Sequence, residues 1–337
     1  MTKRVKNETR PNTADLLDLN EYDLFIVSFS GGKDSLAMVL DLLERGVDKA
    51  KIQLWHQRID GETDERLMDW NVTEAYCETV ARHLGIRLLY QWKDQGFEGE
   101  MLREDAMTKG AYFETQDGEI KYAAPSARGK KATRRKFPQV SADLSVRWCS
   151  SYLKIDVCTR AINNDPALKG KKLCVLTGER REESANRARY AEVESHKSNT
   201  KSRTVHQWRS VIDWSEQQVW DIIKRWSINP HPAYHLGFGR VSCMACIFGD
   251  KNQWATIRAL DPTRFEKIAS YETEFDCTIK RKTSIVEEAD KGAVYEQIES
   301  ETRQATLAMS TQYPAFMVTV KDWELPAGAF RSCGGPN

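Results

Sequence analysis

A glycine-rich segment between two hydrophobic runs carries the most specific chemical pattern in the sequence. Residues 28–35 read Ser-Phe-Ser-Gly-Gly-Lys-Asp-Ser and follow the apolar run Leu24–Val27. Glycine lets the backbone approach a phosphate, and the first amides of a helix lack partners within it and lie at the positive end of its dipole. The segment therefore predicts a phosphate cradle. Its predicted binding residues are Ser28, Ser30, Gly31, Gly32, Lys33, Asp34 and Ser35.

The spacing excludes the Walker loop of many nucleoside triphosphatases. That loop reads G-x-x-x-x-G-K-[ST], with Ser or Thr directly after the lysine. Here Lys33 alone separates Gly32 from Asp34. A different type of phosphate loop is therefore needed.

A second segment places arginines, glutamates and a serine directly after another apolar run. Residues 177–187 read Thr-Gly-Glu-Arg-Arg-Glu-Glu-Ser-Ala-Asn-Arg. Gly178 permits a sharp turn, and Ser184 and Arg187 are spaced to share one face of a following helix. Because the planar guanidinium group binds phosphate or sulfate with two hydrogen bonds, this segment predicts an oxyanion contact. Surface salt bridging is the alternative.

Cysteine spacing suggests a third kind of chemistry. Cys243 and Cys246 have a spacing that suits zinc or an iron–sulfur cluster, although such a pair can also be redox-active or inert. The eight cysteines of the chain are unevenly spaced. They do not form the pattern of a secreted disulfide framework.

Alternating strand and helix patterns must position these groups. Apolar runs near residues 23–28, 51–56, 86–92 and 173–176 predict strands, and helical spacing separates them. We expect a doubly wound, mostly parallel, five-stranded α/β sheet with a cysteine-containing, helical C-terminal extension. A further short strand is predicted at Val211-Ile212. The predicted divisions are a flexible arm over 1–20, the α/β domain over 21–249, with a basic insertion at about 94–145, and a helical region and tail over 250–337.

An acidic turn follows the second predicted strand. Ligands of open α/β sheets bind beyond the carboxyl ends of the strands. Asp60 and Glu62 are therefore expected to reach the bound ligand or its metal, and a plain acidic turn is the alternative.

The insertion contains a strongly basic segment. Residues 121–136 hold seven Lys and Arg residues and no acid. The segment predicts a solvated loop, a mobile lid, or an arm whose cations release counterions from nucleic-acid phosphates.

Composition limits the class of protein. The chain has 337 residues, a net charge of +1 and 40% apolar residues, which is typical of a globular protein. No apolar stretch is long enough to span a membrane, and the N-terminus lacks a signal-peptide core. A cytoplasmic location without membrane partners is expected.

Residues 30–35 resemble the SGGxDS pyrophosphate loop of the adenine-nucleotide α-hydrolase superfamily, whose members usually split ATP between the α and β phosphates. Residues 177–187 resemble the T-G-x-R-x-x-E-S-x-x-R motif of the phosphoadenosine-phosphosulfate (PAPS) reductase family. Residues 229–246 resemble that family's N-P-x-Y-x-x-G-x-x-R-x-G-C-x-x-C block, with Ser242 replacing a glycine. The resemblance extends to the small subunit of sulfate adenylyltransferase and to DNA phosphorothioation proteins, and covers roughly residues 23–249 in scattered motifs.

The resemblance implies ATP or a related adenine nucleotide, with Mg²⁺, as ligand. The leading hypothesis is cleavage of ATP at the α-phosphate to adenylate an acceptor in sulfur transfer, with a sulfur-donor protein as partner. Lys33, Asp34, Arg180 and Arg187 would be catalytic. Further nucleotide contacts would come from Asp60, Gly178, Glu179 and Ser184.

In iron–sulfur members of the family, a cysteine at the position of Cys149 contributes to a cluster. The resemblance therefore implies Cys149, Cys243 and Cys246 as ligands, and favours [4Fe–4S] over zinc. Family reductases carry a cysteine pair where this chain has Cys149-Ser150. Cys277, a histidine or an open iron site would complete the set.

Two alternative functions remain. The first is a reductase of PAPS or its unphosphorylated analogue with Cys333 as the attacking thiolate, although the tail lacks the glutamate and histidine that flank the cysteine in family reductases. The second is a nucleotide-dependent component of a DNA or RNA sulfur-modification system that binds nucleic acid through residues 121–136.

Overall fold

The computed structural model describes residues 17–331, and Cys333 lies outside the described residues. Its strands form one sheet in the order β5-β4-β3-β2-β1-β6-β8-β7. The strands are β1 Leu24–Ser28, β2 Ile52–Arg58, β3 Arg87–Lys93, β4 Ala111–Glu114, β5 Ile120–Ala123, β6 Lys172–Leu176, β7 Val193–Ser195 and β8 Thr204–Trp208.

Parallel pairing confirms the predicted fold class. Strands β3, β2, β1, β6 and β8 run parallel and make the five-stranded centre. β4, β5 and β7 pair antiparallel at the two sides and widen the sheet to eight strands. In the centre, Val27 pairs with Leu54 and Leu176, so β1 and β6 end at nearly the same level, while β2 continues to Arg58.

Helices cover both faces of the sheet. Alternate side chains of β1 are buried on opposite faces of the sheet. Phe25 and Val27 belong to one core cluster, and Leu24 and Ile26 belong to another on the opposite face. The first cluster includes apolar residues of α1, α2 and α6, and the second includes those of α5. The α-helices are α1 Lys33–Glu44, α2 Thr73–Leu84, α3 Gly96–Met101, α4 Trp148–Ser150, α5 Asp156–Asn164, α6 Glu216–Arg225, α7 Pro232–His235, α8 Lys251–Leu260, α9 Pro262–Glu274, α10 Ile285–Asp290, α11 Gln297–Ser300 and α12 Thr302–Ala308. A π-helical turn, Ser151–Ile155, joins α4 to α5.

Two local predictions need correction. The insertion at 94–145, in which no helix or strand was predicted, contains α3 and the β4–β5 hairpin. Each hairpin strand has four residues, too few to show a period in the sequence. The predicted strand at Val211-Ile212 is wrong, since these residues lie in a turn after β8.

The C-terminal helices share their core with the sheet. Trp254 of α8 and Phe265 of α9 belong to the same buried cluster as Phe25 of β1. None of the helices in the described residues is long and apolar enough to cross a bilayer.

Candidate functional site

A large cavity opens at the carboxyl edge of the parallel strands. Its volume is about 1160 Å³, slightly above the usual range for small-molecule sites. It brings together two sequence segments that lie about 150 residues apart. The predicted site residues that line it are Ser28, Ser30, Gly32, Lys33, Asp34, Ser35, Gly178, Glu179, Arg180 and Arg187.

The glycine-rich loop turns sharply from β1 into α1. Gly31 has φ +74°, and a Cβ atom there would lie 3.1 Å from Cys77 Sγ, so glycine meets both a conformational and a steric demand. Gly32 is the N-cap residue of α1, and its carbonyl accepts a 2.8 Å hydrogen bond from Ser35 Oγ. The loop therefore directs the first turn of α1 into the cavity.

Tyr234 holds the same helix end from the other side. Its hydroxyl oxygen accepts a 2.9 Å hydrogen bond from the Lys33 backbone N–H. The tyrosine is buried, and burial is the main reason that its pKa rises to about 12. The phenol therefore stays protonated and contacts the loop as a neutral group.

Lys33 is a buried cation in an acidic setting. Its Nζ lies 3.4 Å from Asp34 Oδ2 and 3.9 Å from Glu216 Oε1. Burial alone would lower its pKa, but the carboxylates of Asp34 and Glu216 outweigh burial and raise the pKa above its usual value. Lys33 therefore carries its charge at any physiological pH.

Asp34 is fixed by an arginine from the second segment. Arg180 Nε donates a 2.6 Å hydrogen bond to Asp34 Oδ1, and the guanidinium also pairs with Glu182. Burial would raise the pKa of Asp34, but Lys33 and Arg180 lower it. A Cβ on Gly178 would lie 3.2 Å from Asp34 Cβ, so glycine permits this close approach of the two segments.

The segment after Arg180 is not the regular helix that was expected. Two short 3₁₀ turns, Arg181–Glu183 and Arg187–Arg189, replace it. Ser184 Oγ accepts a 3.3 Å hydrogen bond from the Arg187 backbone N–H and does not line the cavity. Arg187 lines the cavity and pairs with Glu183.

Two further arginines join Arg187, and neither was among the predicted site residues. Arg147 and Arg240 line the same cavity, and their guanidinium groups lie 6.0 and 5.4 Å from the centre of the Phe248 ring. Burial, and then the charges of Arg187 and Arg240, lower the pKa of Arg147. Positive charges gathered in this way make an anion subsite. Arg240 stands in the family-like block, which was the available sequence signal.

Asp60 is placed away from this cavity. Its carboxylate accepts hydrogen bonds from the backbone N–H groups of Met68 and Asp69. Burial is the main reason that its pKa is raised. It lines a separate pocket of about 400 Å³ with Glu62. The carboxyl edge is wide enough for the turns after β1 and β2 to face different pockets.

The three cysteines implied as cluster ligands are neighbours. Cys149 and Cys246 lie close enough to Cys243 to influence its ionisation, and burial is the main reason that the pKa values of Cys149 and Cys243 are raised. Over residues 17–331, no three Cys, His, Asp or Glu side chains are arranged to hold a metal ion. As arranged, the three thiols do not form a ligand set for a cluster. Cys277 is a half-buried free cysteine at the end of α9.

The basic segment 121–136 divides into two parts. Arg134 pairs with buried Glu100, and Arg135 pairs with Glu274. The exposed members of the segment are Arg128, Lys130, Lys131 and Lys136.

The chain is similar to one curated phage protein and, at low identity, to several solved structures. A protein of Escherichia phage 186, described as an uncharacterized 37.8 kDa protein in the gpa 5′ region, is 27% identical over 261 residues, which is 75% of each chain. FMN adenylyltransferase from Candida glabrata, solved in complex with ATP, aligns with 70% of this chain at 10% identity and a TM-score of 0.34, and the chain spans 56% of its length. PAPS reductase from Candida auris, solved as a phosphate complex, aligns over 69% of this chain and 88% of its own at 12% identity and a TM-score of 0.35.

The comparison with protein families covers the α/β domain and the cavity. Residues 25–248 match the phosphoadenosine phosphosulfate reductase domain, and this range includes the glycine-rich loop, the arginine segment and the cysteine pair. The chain therefore belongs to the phosphoadenosine phosphosulfate reductase domain family.

Proposed function

We propose that the protein binds ATP or a related adenine nucleotide in the cavity and cleaves ATP at the α-phosphate. An acceptor oxygen would form a bond to the α-phosphorus while the bond to the bridging oxygen of pyrophosphate breaks. The observation that carries this proposal is Lys33, a charged, buried lysine at the N-terminus of α1 inside the cavity. Its charge and the loop amides would neutralise the departing pyrophosphate.

The arginines that line or adjoin the cavity have different proposed roles. Arg180 is held by Asp34 and Glu182, so its proposed role is to position Asp34 and the loop. Arg187, Arg147 and Arg240 line the part of the cavity that suits a second anionic group, on the nucleotide or on the acceptor. Magnesium would enter with the triphosphate and would help to neutralise the charge of its phosphate oxygens.

The test of this proposal is product analysis with a matched pair of variants. ATP and Mg²⁺ are incubated with a panel of acceptors that includes sulfate, and AMP and pyrophosphate are measured. Lys33→Met should reduce turnover by about 100-fold or more, and Lys169→Met, at an exposed surface position, should not. Formation of neither AMP nor pyrophosphate with any acceptor would contradict the proposal.

A reductase of PAPS or its unphosphorylated analogue is the second candidate, because Phe330 and Arg331 line the cavity at the end of the described chain. In this version the Cys333 thiolate would bond to the sulfur while the bond from sulfur to the phosphate oxygen breaks and the adenosine phosphate leaves. An added dithiol would then reduce the S-sulfocysteine, release sulfite and become a disulfide. Sulfite production that persists in Cys333→Ser would rule out this nucleophile.

The iron–sulfur cluster stays a prediction of the resemblance, and no step above uses it. Iron and acid-labile sulfide in anaerobically purified protein would support it, provided that Cys149→Ser removes both and Cys174→Ser, in the buried core, removes neither. Iron-free protein that is active would exclude it as a requirement.

A further inference from the structure

Uncharged polar side chains line the cavity at the ends of the parallel strands, in contrast to the arginines described above. Ser28, Gln57, Thr177 and Gln207 lie at or near the carboxyl ends of four adjacent strands and line the cavity. Cys158 and Val175, which belong to the core on the α5 side, line it too. Uncharged hydrogen-bonding groups beside an apolar wall are the surroundings that a nucleobase prefers.

The side-chain amide of Gln57 is held in one orientation by a chain of hydrogen bonds. Its Nε2 donates to Gln91 Oε1 at 2.9 Å and to the Trp55 carbonyl at 3.2 Å. Gln91 is fully buried, and its own Nε2 donates to the Leu89 carbonyl at 3.3 Å. Because a carbonyl can only accept, Leu89 fixes the amide of Gln91, and Gln91 in turn fixes that of Gln57.

The fixed orientation leaves an acceptor facing the ligand space. Gln57 Oε1 has no hydrogen-bond partner within residues 17–331, and it is not among the solvent-excluded polar atoms. Flipping the amide would break both Nε2 bonds and place Gln57 Oε1 against two other acceptors, Gln91 Oε1 and the Trp55 carbonyl oxygen. The cavity therefore presents a preset acceptor at the end of β2, directly beside β1 and its phosphate loop.

We propose that Gln57 is a base-specificity residue that accepts a hydrogen bond from the exocyclic amino group of adenine. This inference rests on the proposed nucleotide site and assigns recognition of the base within that site to the Gln57 side chain. An oxo group at the same position, as in hypoxanthine, places an acceptor against Oε1 and leaves both oxygens without a proton. Selection therefore depends on an unfavourable contact with the wrong base as well as on a bond to the right one.

The experiment compares the affinities of ATP and ITP, which differ at this exocyclic group and in the protonation of the neighbouring ring nitrogen. We expect the wild type to bind ATP about 10-fold or more tightly than ITP. In Gln57→Leu the two affinities should become equal within about twofold, mainly through weaker ATP binding. Affinity for inorganic tripolyphosphate should stay unchanged, which shows that the variant is folded and its phosphate loop intact.

Gln53→Leu is the matched control. Gln53 lies on the same strand and face as Gln57, is buried, and does not line the cavity. This variant should keep the wild-type ratio of ATP to ITP affinity. If Gln57→Leu keeps that ratio as well, or if the wild type binds ATP and ITP equally, the assignment of Gln57 is wrong while nucleotide binding stands. If the wild type binds no adenine nucleotide, both the proposed function and this inference fall.

Discussion

Tyr234 shows how one distant side chain can govern the phosphate loop. It lies about 200 residues after Lys33 in the sequence, yet its hydroxyl accepts from the Lys33 backbone N–H. One amide of the helix N-terminus is thereby occupied and the loop is held in place. Nucleotide affinity should therefore depend on a residue that sequence spacing did not identify.

Replacing this tyrosine by phenylalanine removes the hydroxyl and keeps the ring. Tyr234→Phe should weaken nucleotide binding about 3- to 10-fold, because about 1 kcal/mol of hydrogen bonding to the loop is lost. Isothermal titration with ATP measures the change. Tyr76→Phe is the matched control, since Tyr76 is equally buried but donates to the Asn229 carbonyl. Equal affinities of Tyr234→Phe and wild type would show that the hydroxyl does not support the loop.

In the folded insertion before α4, some basic side chains of residues 121–136 form ion pairs and others stay exposed. Arg134 donates to Glu100 from Nε at 3.2 Å and from NH2 at 3.0 Å, and stacks over Trp148 and Tyr152. Glu100 is 1% exposed and belongs to α3, so this pair joins two parts of the insertion. The contacts of Arg134 with Trp148 and Tyr152 anchor the insertion to the body of the domain. Only the exposed lysines and arginine of the segment are available to a polyanion.

Two sets of substitutions separate anchoring from binding. Arg134→Gln should lower the free energy of unfolding by about 1–3 kcal/mol, because Glu100 loses one of its partners. The double variant Lys130→Gln with Lys131→Gln should change it by less than about 0.5 kcal/mol. Urea denaturation measures both. If the segment binds nucleic acid, the lysine variant should also weaken the binding of a labelled oligonucleotide and reduce its salt dependence. Unaltered binding would contradict that role.

Over the whole molecule, buried ionisable groups make stability depend on pH. Burial lowers the pKa of His231 to about 3, from an ordinary 6.5. Burial, and then the charge of Asp60, raise the pKa of Asp69 to about 7. Between pH 6.5 and 3 the unfolded chain binds a proton at His231 that the native state does not, so this group lowers stability as the pH falls. Asp69 acts in the opposite direction. Its raised pKa adds to the free energy of unfolding below pH 4, and this stabilisation is lost as the pH rises to 7.

The two groups predict opposite changes in the pH profile. His231→Asn should reduce the loss of stability on acidification by about 1.4 kcal/mol per pH unit between pH 6 and 4. In the wild type, Asp69 should lower the free energy of unfolding with a similar slope as the pH rises from 4 to 7. Asp69→Asn should remove this decrease. Urea unfolding across this range gives both slopes, and comparing slopes separates titration from any uniform cost of substitution. Parallel profiles for wild type and both variants would contradict the burial argument.

Local sequence patterns predicted the glycine-rich loop, the family and four of the five parallel strands, β1, β2, β3 and β6, but not β8. These features follow from local patterns, since glycine spacing, apolar runs and helix starts are set by a few neighbouring residues. Gly31 and Lys33 illustrate this, because the turn and the helix N-terminus need nothing distant to form. The short strands β4 and β5 could not be read in the same way, because long-range pairing decides whether four residues become a strand.

Which side chains lie together in the cavity follows from the tertiary structure and not from local sequence patterns. Tyr234, Glu216 and Arg147 reach it from segments remote from the loop, whereas Asp60, which was expected there, faces another pocket. The orientation of the Gln57 amide likewise depends on Gln91 of the neighbouring strand. These contacts arise from the order of the strands in the sheet and from the packing of the helices. Neither can be deduced from the spacing of residues along the sequence.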